Sequence, residues 1–98
     1  MSAYMVFNYT VTNPDGYAPY GRAARRTLAA HGVEGVVADY SSQTIEGAPG
    51  QVTVVLRFES REAALAWYRS DEYQSVIHLR TDNSEGTAVL CDGFVMPS

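Results

Sequence analysis

Residues 51–59 of the chain read QVTVVLRFE, and residues 60–68 continue as SREAALAWY. Apolar and polar residues alternate along the first segment, which is the period of a β-strand with one buried face. Its buried face has four members: Val52, Val54, Leu56 and Phe58. Ser60 can then cap a helix, whose predicted inward stripe also has four members: Ala63, Ala64, Trp67 and Tyr68. The stretch predicts a strand followed directly by a helix that packs on a sheet.

The N-terminal part of the chain has the same order of strand and helix. Residues 3–11, AYMVFNYTV, are rich in β-branched and aromatic side chains and predict the first strand. Asn13 suits the N-cap and Pro14 the first turn, so we predict a helix from there to about His31, where Gly32 provides a left-handed stop. The predicted inward stripe of this helix has five members: Tyr17, Tyr20, Ala24, Leu28 and His31. Three arginines lie on the opposite, solvated side: Arg22, Arg25 and Arg26.

The remaining segments complete a six-element pattern. Residues 35–40 (GVVADY) predict a short second strand, followed by a loop rich in glycine and proline, and residues 87–95 (TAVLCDGFV) predict the last strand. Ser70 can begin a further helical piece that follows a break after the second helix. The order is βαββαβ, the ferredoxin-like α+β fold, in which a four-stranded antiparallel sheet carries both helices on one face. We expect residues 1–98 to form one such domain.

This fold leaves the second face of the sheet uncovered. The third strand carries Val55 on the face opposite its main apolar stripe, and a sheet that is apolar on both faces usually has both covered. A chain of 98 residues is too short to cover the second face by itself. We therefore expect a homodimer in which the open sheet faces of two copies pack together. The pattern leaves open which face of the first strand meets the helices.

Composition and charge narrow the classes of partner. Aromatic residues make up 11% of the chain and charged residues 18%, which indicates a globular protein. The formal net charge is −4, whereas nucleic-acid-binding proteins need a basic surface, so we expect no nucleic-acid partner. No apolar stretch approaches the ~18 residues of a membrane span, and no signal-peptide pattern is visible. With Cys91 as the single cysteine, we expect a cytoplasmic protein that has no metal site and no cofactor.

Four stretches of the sequence carry a resemblance to a known family: AYMVFNYTV (3–11), NPDGYAPY (13–20), VTVVLRFESREAALAWYRSDEYQSVIHLR (52–80) and VLCDGF (89–94). The chain resembles the small bacterial family called domain of unknown function thirteen-thirty, in the dimeric α+β barrel superfamily. The resemblance implies a ferredoxin-like protomer whose open sheet faces pair into a dimeric barrel, with a small cavity between each sheet and its helices. It implies little about chemistry, because that superfamily includes monooxygenases, isomerases, haem-handling enzymes and proteins of no known activity.

Arg80 is the first candidate for a ligand-binding residue. The wheel of its helix places it on the same stripe as Tyr73, a second candidate, and a guanidinium on an inward stripe needs partners. One interpretation is a structural role, either an ion pair with a carboxylate such as Asp39 or Asp82 or a bond to a helix end. A second is an anchor for the carboxylate or enolate of a small anionic metabolite. A third is a side chain that extends to solvent. His78 falls on the opposite side of this helix, and we predict that it is exposed.

Five further polar residues are candidates. Tyr17 and Tyr20 share the inward stripe of the first helix, where they can bury their rings or bind a ligand through their hydroxyls. His31 suits the negative end of that helix as a charged group, or else acts as a general acid or base at a pocket rim, a role for which Tyr20 is the other candidate. Asn8 and Asp39 are polar members of apolar strands and need a partner, a water or a ligand. Asn8 can equally face the dimer interface.

Two functions fit this pattern. The motifs of serine hydrolases, zinc proteases, dinucleotide-binding domains and P-loop proteins are missing from the sequence. The first hypothesis is a cofactor-free enzyme that acts on a small carboxylate-bearing or enolisable metabolite. The alternative is a non-catalytic dimeric module that binds a small ligand or has a structural role. The two differ in whether Arg80, Tyr20, His31 and Asp39 converge on one accessible cavity.

Overall fold

The computed structural model describes residues 1–97. Its elements follow in the order β1 (Ala3–Val11), α1 (Pro14–Tyr17), α2 (Tyr20–Ala30), β2 (Glu34–Asp39), β3 (Val52–Phe58), α3 (Arg61–Tyr68), α4 (Asp71–Gln74), α5 (His78–Thr81) and β4 (Ser84–Asp92). The strands form one antiparallel sheet in the order β2-β3-β1-β4, and the helices pack on one face of it. The predicted ferredoxin-like α+β fold is therefore confirmed. Within residues 1–97, no helix combines the length and the apolar character that crossing a membrane requires.

The core lies between the sheet and helices α2 and α3. Three facing pairs of β1 and β3 form the sheet side of this core: Met5 with Leu56, Phe7 with Val54, and Tyr9 with Val52. Four buried residues of the two helices cover them: Tyr20, Ala24, Ala64 and Trp67. The face of β1 that meets the helices is therefore the one with Met5, Phe7 and Tyr9, and Asn8 points to the other side.

Trp67 is the central side chain of α3. It is 1% exposed, and its ring lies 4.1 Å from the ring of Tyr73 between centroids. Its Nε1–H donates to Thr27 Oγ1 at 2.9 Å, and the Thr27 hydroxyl donates in turn to the carbonyl of Ala24 at 2.7 Å. The indole thus joins α3 to α2 both by packing and by a buried hydrogen bond in which each polar group has a partner.

The predicted helix starts at Ser60 and Ser70 are confirmed. Ser60 Oγ accepts the N–H of Ala63 at 3.1 Å, and Ser70 Oγ accepts the N–H of Tyr73 at 3.2 Å. Each serine satisfies a backbone donor that has no partner within the first turn of its helix. Asn13 occupies the N-cap position of α1 but makes no side-chain cap, and its Nδ2 donates to Asn83 Oδ1 at 3.0 Å.

The prediction of one continuous first helix is wrong at Pro19. Proline has no N–H with which to continue the hydrogen bonding of α1, so that helix ends at Tyr17 and α2 begins at Tyr20. The end of α2 agrees with the prediction. The N–H of His31 bonds the carbonyl of Thr27, and Gly32 adopts the left-handed φ of 64° that terminates the helix.

The last strand is displaced from the predicted residues 87–95. It spans Ser84–Asp92 because every one of its residues faces a residue of β1, from Ser84 opposite Val11 to Asp92 opposite Ala3. Beyond Asp92 one more backbone bond follows, from the N–H of Gly93 to the carbonyl of Ser2 at 2.7 Å, and the strand ends there. The length of a strand in the sheet is thus set by its neighbour rather than by its own propensity.

The open face of the sheet carries one apolar row across all four strands. In register, the row consists of Val37, Val55, Val6 and Val89. Val89 is 54% exposed and Val37 is 40% exposed. No helix within residues 1–97 lies on this face, so the second apolar face that the sequence predicted is present and uncovered.

We expect Trp67→Ala to lower the free energy of unfolding by about 3–5 kcal/mol, the range for truncating a large buried aromatic side chain. Urea denaturation followed by circular dichroism measures the loss. Phe94→Ala is the matched control, because Phe94 is 79% exposed, and it should change stability by less than about 0.5 kcal/mol. A loss below about 1 kcal/mol for Trp67→Ala would contradict the central role of this side chain.

Candidate functional site

Arg80 lies on α5 with its side chain turned into the core. It is 8% exposed. The carbon of its guanidinium lies 5.0 Å from the centroid of the Phe7 ring and 5.9 Å from those of Tyr9 and Tyr20. Three aromatic rings from β1 and α2 therefore surround the cation, at distances where the negative face of a ring attracts a positive charge.

The polar contacts of Arg80 are few for a buried cation. Its Nη2 donates to the hydroxyl of Tyr73 at 3.4 Å, and its Nε is buried without a hydrogen-bond partner. Within residues 1–97, no carboxylate lies within 4.0 Å of the guanidinium. The interpretation of Arg80 as half of an ion pair with Asp39 or Asp82 is therefore wrong.

Two pairs of tyrosine hydroxyls adjoin the guanidinium. Tyr20 Oη lies 2.7 Å from Tyr73 Oη, and Tyr9 Oη lies 2.5 Å from Tyr17 Oη. The first pair connects to Arg80 through Tyr73. The second pair lies beside the first, since the rings of Tyr17 and Tyr20 are 5.6 Å apart.

The protonation states leave this cluster with a net positive charge. Burial, together with Tyr73, raises the pKa of Tyr20, and burial together with the Tyr17 hydrogen bond raises the pKa of Tyr9, so both phenols are neutral at neutral pH. For Arg80, burial lowers the pKa but the neighbouring Tyr73 and Tyr20 hydroxyls outweigh it, and the net pKa is raised. The guanidinium thus keeps its proton.

A cavity of about 240 Å³ lies against this cluster, between α2 and the sheet. Its walls come from the sheet, from α2 and α3, and from the first residue after β2: Phe7, Tyr9, Tyr20, Gly21, Ala24, Arg25, Leu28, Gly35, Val36, Val37, Ala38, Tyr40, Val54, Leu56 and Trp67. Phe7, Tyr9 and Tyr20 therefore both line the cavity and surround Arg80. The cation lies behind these rings and is not itself part of the cavity wall.

The wall of the cavity is mainly apolar, with a few polar side chains. The polar members are the tyrosines Tyr9, Tyr20 and Tyr40 and the guanidinium of Arg25. An apolar cavity with few polar groups is the usual form of a small-molecule site, and its size is below the 300–1,000 Å³ typical of drug-sized ligands. The space therefore suits a small, compact ligand.

A β-bulge shapes the outer wall of the cavity. Gly35 pairs with Leu56 and Val37 with Val55, so that Val36 has no partner in the ladder between them. A bulge of this kind bends an edge strand and redirects a side chain. Here it brings consecutive residues of β2 to the same cavity.

The structure brings together four of the predicted site residues. Tyr20 lies on the cavity wall, Tyr73 bonds it from behind, and Arg80 bonds Tyr73. Tyr17 is half-buried and reaches this group through Tyr9. The helical stripes that predicted Tyr17, Tyr20, Tyr73 and Arg80 thus face one region of the sheet.

The other three predicted site residues, His31, Asp39 and Asn8, lie elsewhere. His31 is exposed, which makes its predicted inward position wrong: it follows the last residue of α2 with a φ of −107°, and its Nε2 lies 3.6 Å from Glu72. Asp39 is exposed and accepts the N–H of Ser41 through Oδ1 at 2.8 Å. His78 is exposed, as predicted.

Asn8 points to the open face of the sheet, away from the cavity. Its Oδ1 accepts the N–H of Gly50 at 2.8 Å, and its Nδ2 donates to the carbonyl of Gly50 at 3.1 Å and to Thr53 Oγ1 at 3.1 Å. Gly50 packs so closely that a Cβ there would lie 2.2 Å from the backbone of Tyr9. Asn8 therefore attaches the loop between β2 and β3 to β1.

Sequence reasoning missed the β1 half of the site. Phe7 and Tyr9 were assigned to one strand face, but both faces of β1 carry apolar residues, so the pattern did not show which one meets the helices. Tyr40 is the end of the predicted second strand, Arg25 is on the predicted solvated side of the first helix, and Gly21 carries no prediction. A glycine in the interior of that predicted helix, Gly21, is a local signal that another group packs beside it.

Comparisons with known proteins support the fold. Residues 2–94 match the model of a family described as Domain of unknown function (DUF1330), and no curated protein matches significantly. A protein of unknown function from Rhodopseudomonas palustris is similar, with a TM-score of 0.69, 14% identity, and coverage of 90% of this chain and 80% of that chain.

Two further solved structures are similar. SnoaB, a cofactor-independent oxygenase from Streptomyces nogalater, has a TM-score of 0.69 and 10% identity, with 97% of this chain and 95% of that chain covered. A protein from Nitrosomonas europaea, provisionally described as an antibiotic biosynthesis monooxygenase, has a TM-score of 0.57 and 14% identity, with 93% and 89% covered. At these identities the likeness shows the fold alone.

The buried phenols predict a loss of stability in alkali. Because the pKa of Tyr20 is higher in the folded than in the unfolded chain, the folded state holds its proton more tightly above the ordinary tyrosine pKa of about 10. Stability should be constant below that pH and should fall above it, by up to about 1.4 kcal/mol per pH unit for each such tyrosine. Urea midpoints measured from pH 8 to pH 11 test this slope.

Tyr20→Phe should make the alkaline slope shallower, because it removes one of the desolvated hydroxyls. Tyr40→Phe is the matched control: it removes the hydroxyl of a tyrosine that is 47% exposed, and the slope should stay close to that of the wild type. An identical slope in the wild type and in Tyr20→Phe would contradict the assignment of a desolvated, protonated Tyr20.

Proposed function

Since the chain belongs to the family described as Domain of unknown function (DUF1330), whose description names no reaction, we propose from its site that it is a cofactor-free cytoplasmic enzyme. Its substrate is a small, largely apolar metabolite that carries an enolisable or phenolic group. The shared fold with SnoaB, described as a cofactor-independent oxygenase, supports chemistry without a cofactor. The free thiol of Cys91 is compatible with a reducing compartment.

The observation that carries this proposal is a buried cation beside an apolar cavity. Removing an isolated charge from water is costly, and a partner carboxylate normally offsets that cost. Within residues 1–97, none is in contact with Arg80, and the Nε of Arg80 has no partner. Such a site favours a ligand that becomes negatively charged in the cavity.

The hydroxyl chain supplies a route from the cation to the cavity. A guanidinium can only donate, so the Tyr73 oxygen accepts from Arg80 and the Tyr73 proton is available to the oxygen of Tyr20. In that order, the Tyr20 proton is free to be donated to an oxygen of the ligand. The three groups then form a donor chain that ends on the cavity wall.

The size of the electrostatic effect is sufficient to matter. Two opposite unit charges about 6 Å apart attract each other by roughly 2–3 kcal/mol at an effective dielectric constant of 20. This is equivalent to lowering the pKa of a bound enol or phenol by about two units. A phenol or enol whose pKa in water is about 10 would therefore ionise near pH 8 when bound.

The composition of the wall limits the mechanism. A tyrosine whose pKa is raised is a poor base, and the two histidines, His31 and His78, are exposed and do not line the cavity. The substrate must therefore ionise because its anion is stabilised, with water accepting the proton, and not because a strong side-chain base removes it. An oxyanion held in this way is the form of an enol or phenol that reacts most readily with an electrophile.

The alternative function is a non-catalytic module that binds a small anion-forming ligand, and the lack of a strong base at the cavity favours it. The two functions differ in whether the protein accelerates hydrogen–deuterium exchange at the carbon next to a carbonyl group. With 2-tetralone, an enolisable bicyclic ketone, an enzyme accelerates the incorporation of solvent deuterium at the carbon next to the carbonyl. A binding module leaves that rate at the value of the buffer.

We also propose that the protein works as a homodimer. The valine row on the open sheet face is partly exposed, and a second copy of the same face is complementary to it by symmetry. Such pairing covers the open face of each sheet and leaves the helix-side cavity of each copy accessible. The family resemblance is compatible with this arrangement.

The ionisation of bound 2-naphthol tests the site. We expect the wild type to lower the pH midpoint of its naphthol-to-naphtholate absorbance change by about one to two units relative to free 2-naphthol. Arg80→Met should abolish this shift, and Arg69→Met, which removes an exposed arginine, should preserve it. A bound midpoint at or above the free value would overturn the proposed oxyanion stabilisation.

The stability of Arg80→Met is a second readout. Removing a cation that is buried without a carboxylate should raise the free energy of unfolding, and losing its contacts with the rings should lower it by up to about 2 kcal/mol. The two effects oppose each other, so Arg80→Met should lower the free energy of unfolding by less than about 1 kcal/mol or should raise it. A loss of about 3 kcal/mol or more in urea denaturation would identify Arg80 as a structural residue instead.

The molecular mass in solution tests the proposed dimer. Light scattering coupled to size-exclusion chromatography should give about twice the protomer mass of 10.7 kDa. Val55→Asp places a charge within the valine row and should yield a folded monomer by circular dichroism. Gln43→Asp adds the same charge to the exposed loop and should stay dimeric. A wild-type monomer at micromolar concentration would contradict the proposal.

A further inference from the structure

Three of the arginines lie together on the exposed side of α2. The chain has seven basic residues and eleven acidic ones, and all seven basic residues are arginines. Arg57 and Arg61 form ion pairs with Glu34 and Asp92, whereas no ion pair of Arg22, Arg25 or Arg26 is found within residues 1–97. A cluster of free positive charge on an acidic protein creates a local field that attracts anions.

This cluster adjoins the cavity described above. Arg25 lines both that cavity and a shallow groove outside it, which Arg22, Arg26 and Tyr40 also line. The groove and the cavity therefore meet where Arg25 and Tyr40 stand. Of the three exposed arginines, Arg25 is the one that reaches the inner wall.

Gly21 keeps this junction open. A Cβ placed on Gly21 would lie 3.4 Å from Arg25 Nη1 and 3.9 Å from Tyr40 Oη, so the bare glycine faces the space between these two polar groups. Its φ is not positive, so the backbone does not require glycine here. The absence of a side chain at Gly21 leaves the space between Arg25 and Tyr40 free.

We propose that the ligand enters between α2 and Tyr40 and carries a carboxylate that stays at this mouth, bound by Arg25. This inference rests on the proposed function, which places the apolar body of the ligand in the cavity and its ionisable oxygen at Tyr20. The ligand class is thus a compact apolar or aromatic carboxylic acid with an enol or phenol at its opposite end. A guanidinium binds a carboxylate through two parallel hydrogen bonds, which suits a site at a solvent-accessible mouth.

A matched pair of probes tests the carboxylate. 2-Naphthol has the ring system and the hydroxyl, and 6-hydroxy-2-naphthoate adds a carboxylate at the far end of the same rings. By fluorescence titration at pH 7, we expect the wild type to bind the naphthoate about tenfold more tightly than 2-naphthol, the effect of one charge-assisted contact. The ratio should fall toward one at high salt.

Substitutions locate the contact. In Arg25→Met the ratio of the two dissociation constants should fall close to one. Arg69→Met removes an equal charge from the exposed end of α3 and should keep the ratio near ten, which separates a local contact from the effect of net charge. A ratio near one in the wild type, or an equal drop in both variants, overturns the carboxylate site.

Two substitutions at Gly21 test the passage. Gly21→Ala adds a methyl group at ordinary contact distances from two flexible side chains, so the variant should remain folded with at least wild-type stability. Gly21→Leu fills the space between Arg25 and Tyr40 and should slow the association of 6-hydroxy-2-naphthoate at least tenfold in stopped-flow fluorescence. Unchanged association in a folded Gly21→Leu overturns this route of entry.

The outcomes for the two proposals are distinct. If neither probe binds the wild type, the proposed function and this inference both fail. If 2-naphthol binds with a lowered ionisation midpoint but the added carboxylate gives no gain, the proposed function stands and the carboxylate site alone is overturned.

Discussion

One buried guanidinium lies where the helices meet the sheet. Arg80 reaches from α5 into a space bounded by rings from β1 and α2, and its polar contact, Tyr73, comes from α4. A cation in such a place is tolerated only if the rings stay close and the phenol stays bonded. The positions of four elements are therefore coupled at this point.

Much of the fold follows from local patterns. The alternation in β3 and the caps at Ser60 and Ser70 predicted real elements, because each pattern reflects a requirement of a single strand or a single helix end. Prediction was less accurate for the bounds of some elements. β4 begins at Ser84 because its pairing with β1 extends as far as Val11, which no local pattern shows. The helix break at Pro19 is a local feature, but it was hidden within an otherwise helical pattern.

The site was predicted on its helical side only. The predicted stripes with a period of 3.6 residues placed Tyr20, Tyr73 and Arg80 on buried faces, and all three are buried, although Tyr73 and Arg80 lie on two separate short helices. Strand β1 has a period of two with apolar residues on both faces, so Asn8 and Tyr9 could not be told apart as outward and inward. His31 failed for a geometric reason: helical periodicity ends with the helix, and this residue lies one position beyond it.

The attachment of the β2–β3 loop to Asn8 has a consequence for allostery. Tyr40 at the cavity mouth begins this loop, and Gly50 at its other end is bonded to Asn8 on the opposite face of the sheet. This loop therefore has one end at the cavity and the other end at the open face of the sheet. If restraining one end of this loop restrains the other, a partner on the open face and a ligand at Tyr40 strengthen each other's binding to the same degree, by thermodynamic reciprocity.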